Sequence, residues 1–256
     1  MIIVGISGAI KSGKTTLAQL LTAVDSAHSV HMETSTIIVE LADDFNAALA
    51  SRLELLRSDK IEAINAVLET LAPALSLIAG SELRVADIAV HSEDAAAAPE
   101  WYNKLFEYCQ QVTTDPSLVT QPITSLNKST YRALLQWIGG YVLYRLKEPL
   151  LWYMELKRRI DDLAPDISLV ALTAPRQPAE AEYVQSMGGK VILIERPELI
   201  ADRTDVTERR VAEIVPDIRV INDSSLEALQ VCAVRLRTDL FNNQPQAEYR
   251  ARNYGN

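Results

Sequence analysis

Apolar positions follow two rhythms along the chain. Ile2–Ile6 is a short unbroken apolar run, as in a strand covered on both faces, and Thr15–Thr22 begins an amphipathic helix. Ser29–Val39 is ambiguous, a strand by its β-branched content, and leads into a helix from Asp43 to about Leu56. Lys60–Ile78 repeats apolar residues at helical spacing through Ile61, Ile64, Val67, Leu68, Leu71 and Leu75. Leu83–Val90 reads as a strand or hairpin arm, Pro99–Val112 as a helix, and Asp115–Thr124 as a loop. Ser129–Arg145 and Pro149–Leu163 are helical, the second with proline in its first turn. Beyond them the rhythm changes. Ile167–Leu172, Val191–Ile194 and Ile218–Ile221 are apolar runs separated by a helix at Ala179–Met187, and Ser224–Leu236 is a closing helix. Such alternation predicts an α/β fold in which the first strand and the last three form one parallel sheet flanked by helices. Residues 46–128 form a mostly helical insertion, 1–45 and 129–241 the core, 197–216 a lid segment, and 242–256 a C-terminal tail.

The 256 residues are 48% hydrophobic and 23% charged, which excludes a disordered or collagen-like chain and permits a sizeable interior. No apolar run approaches the ~18 residues of a membrane span, and Met1 leads straight into a strand, so we expect a cytoplasmic protein without a targeting peptide. Cys109 and Cys232 match no metal or redox spacing and are expected as free thiols. The net charge of −9 argues against a nucleic-acid polymer as partner. It is unevenly spread: 14 of the 17 arginines fall in residues 128–256. Guanidinium groups on a neutral background suit small phosphorylated ligands, whose oxygens they grip in pairs.

Gly8-Ala-Ile-Lys-Ser-Gly13-Lys14-Thr15 matches G-x-x-x-x-G-K-[ST], placed after a strand and opening a helix. Its glycines let backbone N–H groups curl around phosphate oxygens, and the helix N-terminus adds partial positive charge. Lys14 would reach the β- and γ-phosphates of ATP, and the Thr15 hydroxyl would bind Mg²⁺. Gly8, Ser12, Gly13, Lys14, Thr15 and Thr16 are therefore the candidate contacts of a nucleoside triphosphate.

On the acceptor side, Arg132 and Gln136 are four residues apart on one helical face, followed by Arg145 and Trp152. Gly139-Gly140 would let another backbone or a ligand approach closely. Arg176 and Arg196 each follow a strand, at the sheet edge where open α/β folds bind ligands. Arg203, Arg209 and Arg210 lie in the lid segment, where cations could close over phosphates. Asn222-Asp223, after the last strand, either contacts the triphosphate's base or caps the helix beginning at Ser224, or does both, and Asp43 either contacts Mg²⁺-bound water or the acceptor, or caps a helix.

The order of these motifs is familiar. The loop, Leu41-Ala-Asp43-Asp-Phe45, Arg132…Leu135-Gln136…Gly139…Arg145…Trp152, Arg176…Glu180, Gly188-Gly189…Arg196-Pro197, Thr207-Glu208 and Asn222-Asp-Ser-Ser-Leu-Glu-Ala-Leu229 resemble the phage-type deoxynucleoside monophosphate kinases. The resemblance spans nearly the whole chain and is weakest across 46–128. It implies a P-loop nucleoside-monophosphate-kinase fold, transfer of the ATP γ-phosphate to a deoxynucleoside 5′-monophosphate, and an acceptor lobe built largely by the insertion. It also adds Trp152 and Glu180 to Asp43, Arg132, Gln136 and Arg176 as candidate acceptor contacts. Ala174, Asn46, Gly140 and Asp205 depart from the family pattern, Ala174 standing where an Asp is usual.

A monophosphate acceptor has a second pKa near ~6, so its oxygen is already nucleophilic at neutral pH and no general base is needed. Catalysis then reduces to positioning and charge neutralisation, by Lys14, Arg132, Arg145, Arg176 and Arg203. Two alternatives stay open on the sequence: a kinase of dephospho-coenzyme-A type, and a nucleotide-binding protein that has lost transfer. Exposed apolar helices in the insertion would suit a homodimer.

Overall fold

The computed structural model describes residues 1–173, 175–199 and 210–251. In chain order the elements are β1 (Ile2–Ser7), α1 (Lys14–Ala23), β2 (Ser29–Met32), α2 (Thr34–Ala50), α3 (Leu53–Ser58) and α4 (Lys60–Ala79). The short helices α5 (Val85–Ile88) and α6 (Asp94–Ala97) precede α7 (Pro99–Thr114), a 3₁₀ turn (Pro116–Val119), α8 (Arg132–Leu146) and α9 (Leu151–Asp161). Then come β3 (Leu169–Leu172), α10 (Pro178–Ser186), β4 (Lys190–Glu195), β5 (Ile218–Ile221), α11 (Leu226–Phe241) and β6 (Glu248–Arg250).

Two compact units emerge: Met1–Thr34 with Leu156–Asn256, and Ser35–Glu155. The first is an α/β layer. Its six strands run in the order β2-β3-β1-β4-β5-β6, every adjacent pair parallel. Val4, Ile6, Leu169, Ala171, Ile192, Ile194 and Val220 pack beneath Leu17, Leu21, Leu229 and Leu236 of α1 and α11. Because both faces are covered, these strands read as unbroken apolar runs. All six end on one edge, where the loops that follow them are free to build a site.

The second unit is helical. Asp59 caps α4 by accepting from Glu62 N at 3.0 Å, and Gly80 ends it with a left-handed φ of 63°. Among the described residues this helix alone has the length and composition of a membrane span. Its apolar count has an internal cause: Ala63, Ile64, Val67, Leu68, Leu71 and Leu75 are buried at helical spacing.

Several expectations are corrected. Residues 83–90 form no strand: Arg84 N donates to Asp87 Oδ2 at 2.8 Å to start a helical turn, α5. The backbone of Val90 is paired by the side-chain amide of Asn65, at 2.8 and 3.0 Å, instead of by a neighbouring strand. The strand beginning at Ser29 stops at Met32, and α2 takes over from Thr34. Part of the expected C-terminal tail is β6, which adds to the sheet beside β5 through Tyr249, 3% exposed. The sheet thus has six strands where four were expected. The compact second unit also takes in α8 and the start of α9, up to Glu155, which the sequence placed with the core.

Candidate active site

The loop expected to hold a triphosphate is built at the C-terminal end of β1. The chain leaves the strand at Gly8, φ 150°, turns through Lys11 at φ 65° and enters α1 at Gly13, φ 106°. Each glycine is required twice over. A side chain at Gly8 would overlap the Ile194 carbonyl of β4, and one at Gly13 would stand 2.8 Å from Asn222 Nδ2. Lys14 Nζ donates to the carbonyls of Gly8 and Ala9 at 2.6 and 2.7 Å, which places its ammonium over the loop. Ser12 is fully buried, and its hydroxyl has no hydrogen-bond partner among the described residues. Thr15 is exposed and Thr16 half-buried in the first turn of α1.

Asn222 supports the loop from β5. Its amide Nδ2 donates to Ser12 O at 2.9 Å in a buried bond, and its backbone N donates to Glu195 O at 2.7 Å. The side chain therefore clamps the phosphate loop to the ends of β4 and β5. Removing it leaves the Ser12 carbonyl unpaired, at a cost of about 1–3 kcal/mol. We expect Asn222→Ala to raise the KM for ATP about tenfold and to leave the acceptor KM unchanged; steady-state kinetics with each substrate varied checks this.

Arg176 and Arg196 are both exposed at this edge. Glu180 accepts from Arg176 N at 2.7 Å, so this carboxylate shapes the turn into α10. Arg210 donates to Gln177 Oε1 at 2.8 Å. Arg203 and Arg209, with Ala174 and Asp205, lie outside the described residues. His31, to which the sequence assigned no role, bonds Thr173 Oγ1 at 2.8 Å beside Glu33. Burial holds its imidazole below the usual histidine range. A sharper end to β2 at Met32 is the signal that would have placed Glu33 on this edge.

The candidate acceptor residues belong to the second unit. Arg132 is the first residue of α8 and is exposed, and no hydrogen bond or ion pair of its guanidinium occurs among the described residues. One turn on, Gln136 Oε1 is buried, with no hydrogen-bond partner among the described residues. The other candidates hold the lobe together. Arg145 faces Asp94 at 3.6 Å and donates to the carbonyls of Asp87 and Ala86 at 3.4 and 3.3 Å. Trp152 is 5% exposed, and its indole N–H donates to Gly139 O at 3.0 Å.

Asp43 is neither at a strand end nor a cap. It lies inside α2 and accepts from Ile123 N at 2.9 Å, tying that helix to the segment before α8. Asn46, one turn further, is 2% exposed and accepts from Tyr108 OH. Burial pushes the Tyr108 phenol well above the usual tyrosine range, so it stays a donor. The Gly139-Gly140 pair makes room for protein: Ile38 Cδ1 lies 3.1 Å from where a Gly139 side chain would begin, and a Gly140 side chain would overlap the ring of Trp101. The two cysteines are free and buried, and burial pushes their thiols up to about 12 for Cys109 and about 11 for Cys232.

No curated protein matches the chain. The family described as deoxynucleotide monophosphate kinase matches residues 2–232, from the first strand through the phosphate loop, the helical unit and the first two turns of α11. A small-metabolite kinase or a non-catalytic nucleotide binder is not favoured beside a match of that extent. With a phosphate-binding loop formed at the sheet edge and a match covering nearly all of the chain, the protein belongs to the deoxynucleotide monophosphate kinases, phosphotransferases that use nucleotide substrates.

Proposed function

We propose that this kinase takes its phosphoryl group from ATP bound on the loop Gly8–Thr15 with Mg²⁺, and hands it to a deoxynucleoside 5′-monophosphate held by Arg132 and Gln136. The observation carrying this reading is the left-handed backbone at Gly13, which opens α1 directly onto the loop and turns its N–H groups toward a phosphate. Lys14 neutralises the β- and γ-phosphates, and Arg176 and Arg196 supply further positive charge at the sheet edge.

The Thr15 hydroxyl, exposed in the first turn of α1, fits a Mg²⁺ contact. Among the described residues no three His, Cys, Asp or Glu side chains gather into an all-protein metal site. That suits an ion which keeps waters and leans on substrate phosphates. When bound, Mg²⁺ supplies charge neutralisation at the transferring group.

Gln136 Oε1, a buried oxygen with no partner among the described residues, is suited to a donor on the acceptor's base edge. Arg132 grips the monophosphate, and the acceptor oxygen attacks without a general base. Arg203 would add a cation from the lid segment. The reaction runs in the cytoplasm, where both nucleotides are found.

The test is ADP formation across the four deoxynucleoside monophosphates, the ribonucleoside monophosphates and dephospho-coenzyme A. Turnover confined to one or more deoxynucleotides is the expected result; ATP binding with no ADP formed on any acceptor overturns the reading. A charged hydrogen bond contributes about 1.5–3 kcal/mol, so Arg132→Ala should raise the acceptor KM roughly 10–100-fold with ATP KM unchanged. A fall in ATP affinity instead would move Arg132 to the donor side.

A further inference from the structure

β6 lies outside the matched residues 2–232, yet its contacts lead back to the phosphate loop. The strand is firmly held. Its flanking residues bond to β5 at both ends, Arg219 N donating to Ala247 O at 2.8 Å and Ala251 N to Ile221 O at 2.9 Å. Tyr249, at its centre, is buried; its hydroxyl donates to Asp239 Oδ2 of α11 at 2.9 Å and accepts from Gln246 N at 2.8 Å. Burial pushes this phenol up to about 12, so it stays a donor at neutral pH. Strand alternation then puts Arg250 on the opposite face from Tyr249, where it is exposed.

Arg250 stands beside Ile221, the last residue of β5, and its Nε lies 3.2 Å from Asp223 Oδ2. Asp223 directly follows Asn222, whose amide donates to Ser12 O at 2.9 Å and whose backbone N donates to Glu195 O at 2.7 Å. The turn that carries the Asn222 clamp is thus held by β4 on one side and by Arg250 on the other. The clamp matters to the loop for a simple reason. Ser12 C=O and Gly13 N–H belong to one planar trans peptide, so fixing the oxygen fixes the opposite direction of the N–H. Gly13 N–H is one of the backbone donors that such a loop offers a phosphate.

We propose that Arg250 is a positioning residue of the donor site. From β6 it holds Asp223, and through the adjoining residue it keeps the Asn222 amide on the Ser12 carbonyl, so that the loop stays shaped for a triphosphate. This rests on the reading that ATP binds the loop.

The experiment is steady-state kinetics on full-length variants, with ATP and acceptor varied separately and ADP affinity measured by calorimetry. An exposed ion pair is worth roughly 2–5-fold in an equilibrium constant, so Arg250→Ala should raise the ATP KM about threefold. Arg250→Glu replaces attraction by repulsion and should raise it about tenfold, whereas Arg250→Lys keeps the charge and should stay near wild type. Weakened ADP binding should accompany each rise, with kcat and the acceptor KM unchanged. In an Asn222→Ala background, Arg250→Glu should have little further effect on the ATP KM, because its influence runs through the missing amide. The assignment is overturned by an unchanged ATP KM in Arg250→Glu, by effects that multiply fully with Asn222→Ala, or by an equal rise in both KM values, the mark of general support of the sheet. A wild-type protein that binds no ADP, or phosphorylates no deoxynucleotide, sinks the broader reading instead, so the two failures are distinguishable.

Discussion

Lys14→Ala should lower kcat for phosphoryl transfer by about a thousandfold, equivalent to about 4 kcal/mol of transition-state stabilisation. Neutral donors aimed at a developing oxyanion contribute 10²–10³ each, and a full positive charge on the transferring group sits at or above that range. No other described side chain donates to the carbonyls of Gly8 and Ala9 from inside the loop, so the charge has no local substitute. Two controls isolate the chemistry. Thermal unfolding, measured alongside, separates lost loop support from lost chemistry: Gly8 is buried and its carbonyl loses a donor, whereas Ala9 O still accepts from Ser12 N at 3.2 Å. The acceptor KM should also hold, since the proposed acceptor contacts Arg132 and Gln136 belong to the second unit. Turnover within tenfold of wild type would remove the lysine from the mechanism.

Gly140→Ala should destabilise the protein by about 2 kcal/mol, against the direction that helix propensity predicts. In the interior of a helix, glycine to alanine gains about 1 kcal/mol. Here the new methyl would overlap three atoms of the Trp101 ring, and an indole is rigid, so either the ring or α8 must shift. Overpacking of this kind costs about 3 kcal/mol and outweighs the propensity gain. For a chain of this size the melting temperature should fall by roughly 6 °C. Trp101→Leu opens the space at its own cost. The double variant should then be more stable than the sum of the two singles predicts, a coupling that a double-mutant cycle reads directly. If Gly140→Ala is neutral or stabilising, the contact with Trp101 is not what requires glycine there.

Both positions carry the lesson about legibility. Lys14 sits in eight consecutive residues whose spacing specifies a backbone path, and the structure has the left-handed turns at Gly8 and Gly13 that such a path needs. β1, β3, β4 and β5 were equally readable, because burial on both faces leaves uninterrupted apolar runs. β6 was not, since Glu248 and Arg250 are exposed and only Tyr249 faces inward. Gly139-Gly140 was read as an opening for another backbone or a ligand, yet the side chains of Ile38 and Trp101, one about a hundred residues earlier in the chain, occupy the space.

The same division runs through the charged residues. By itself the chain determined the α/β class, the triphosphate loop and the membership of Arg132 and Gln136 in one helical face, because each depends on neighbours within a few residues. Only the tertiary structure decided which charges remain available: Arg145 is taken by Asp94, Asp43 by Ile123, and Asn222 by the Ser12 carbonyl. Arg132 stays exposed. A buried polar group must find its partner wherever the fold brings one, and those partners lie 80 and 210 residues away for Asp43 and Asn222, beyond the reach of any local pattern.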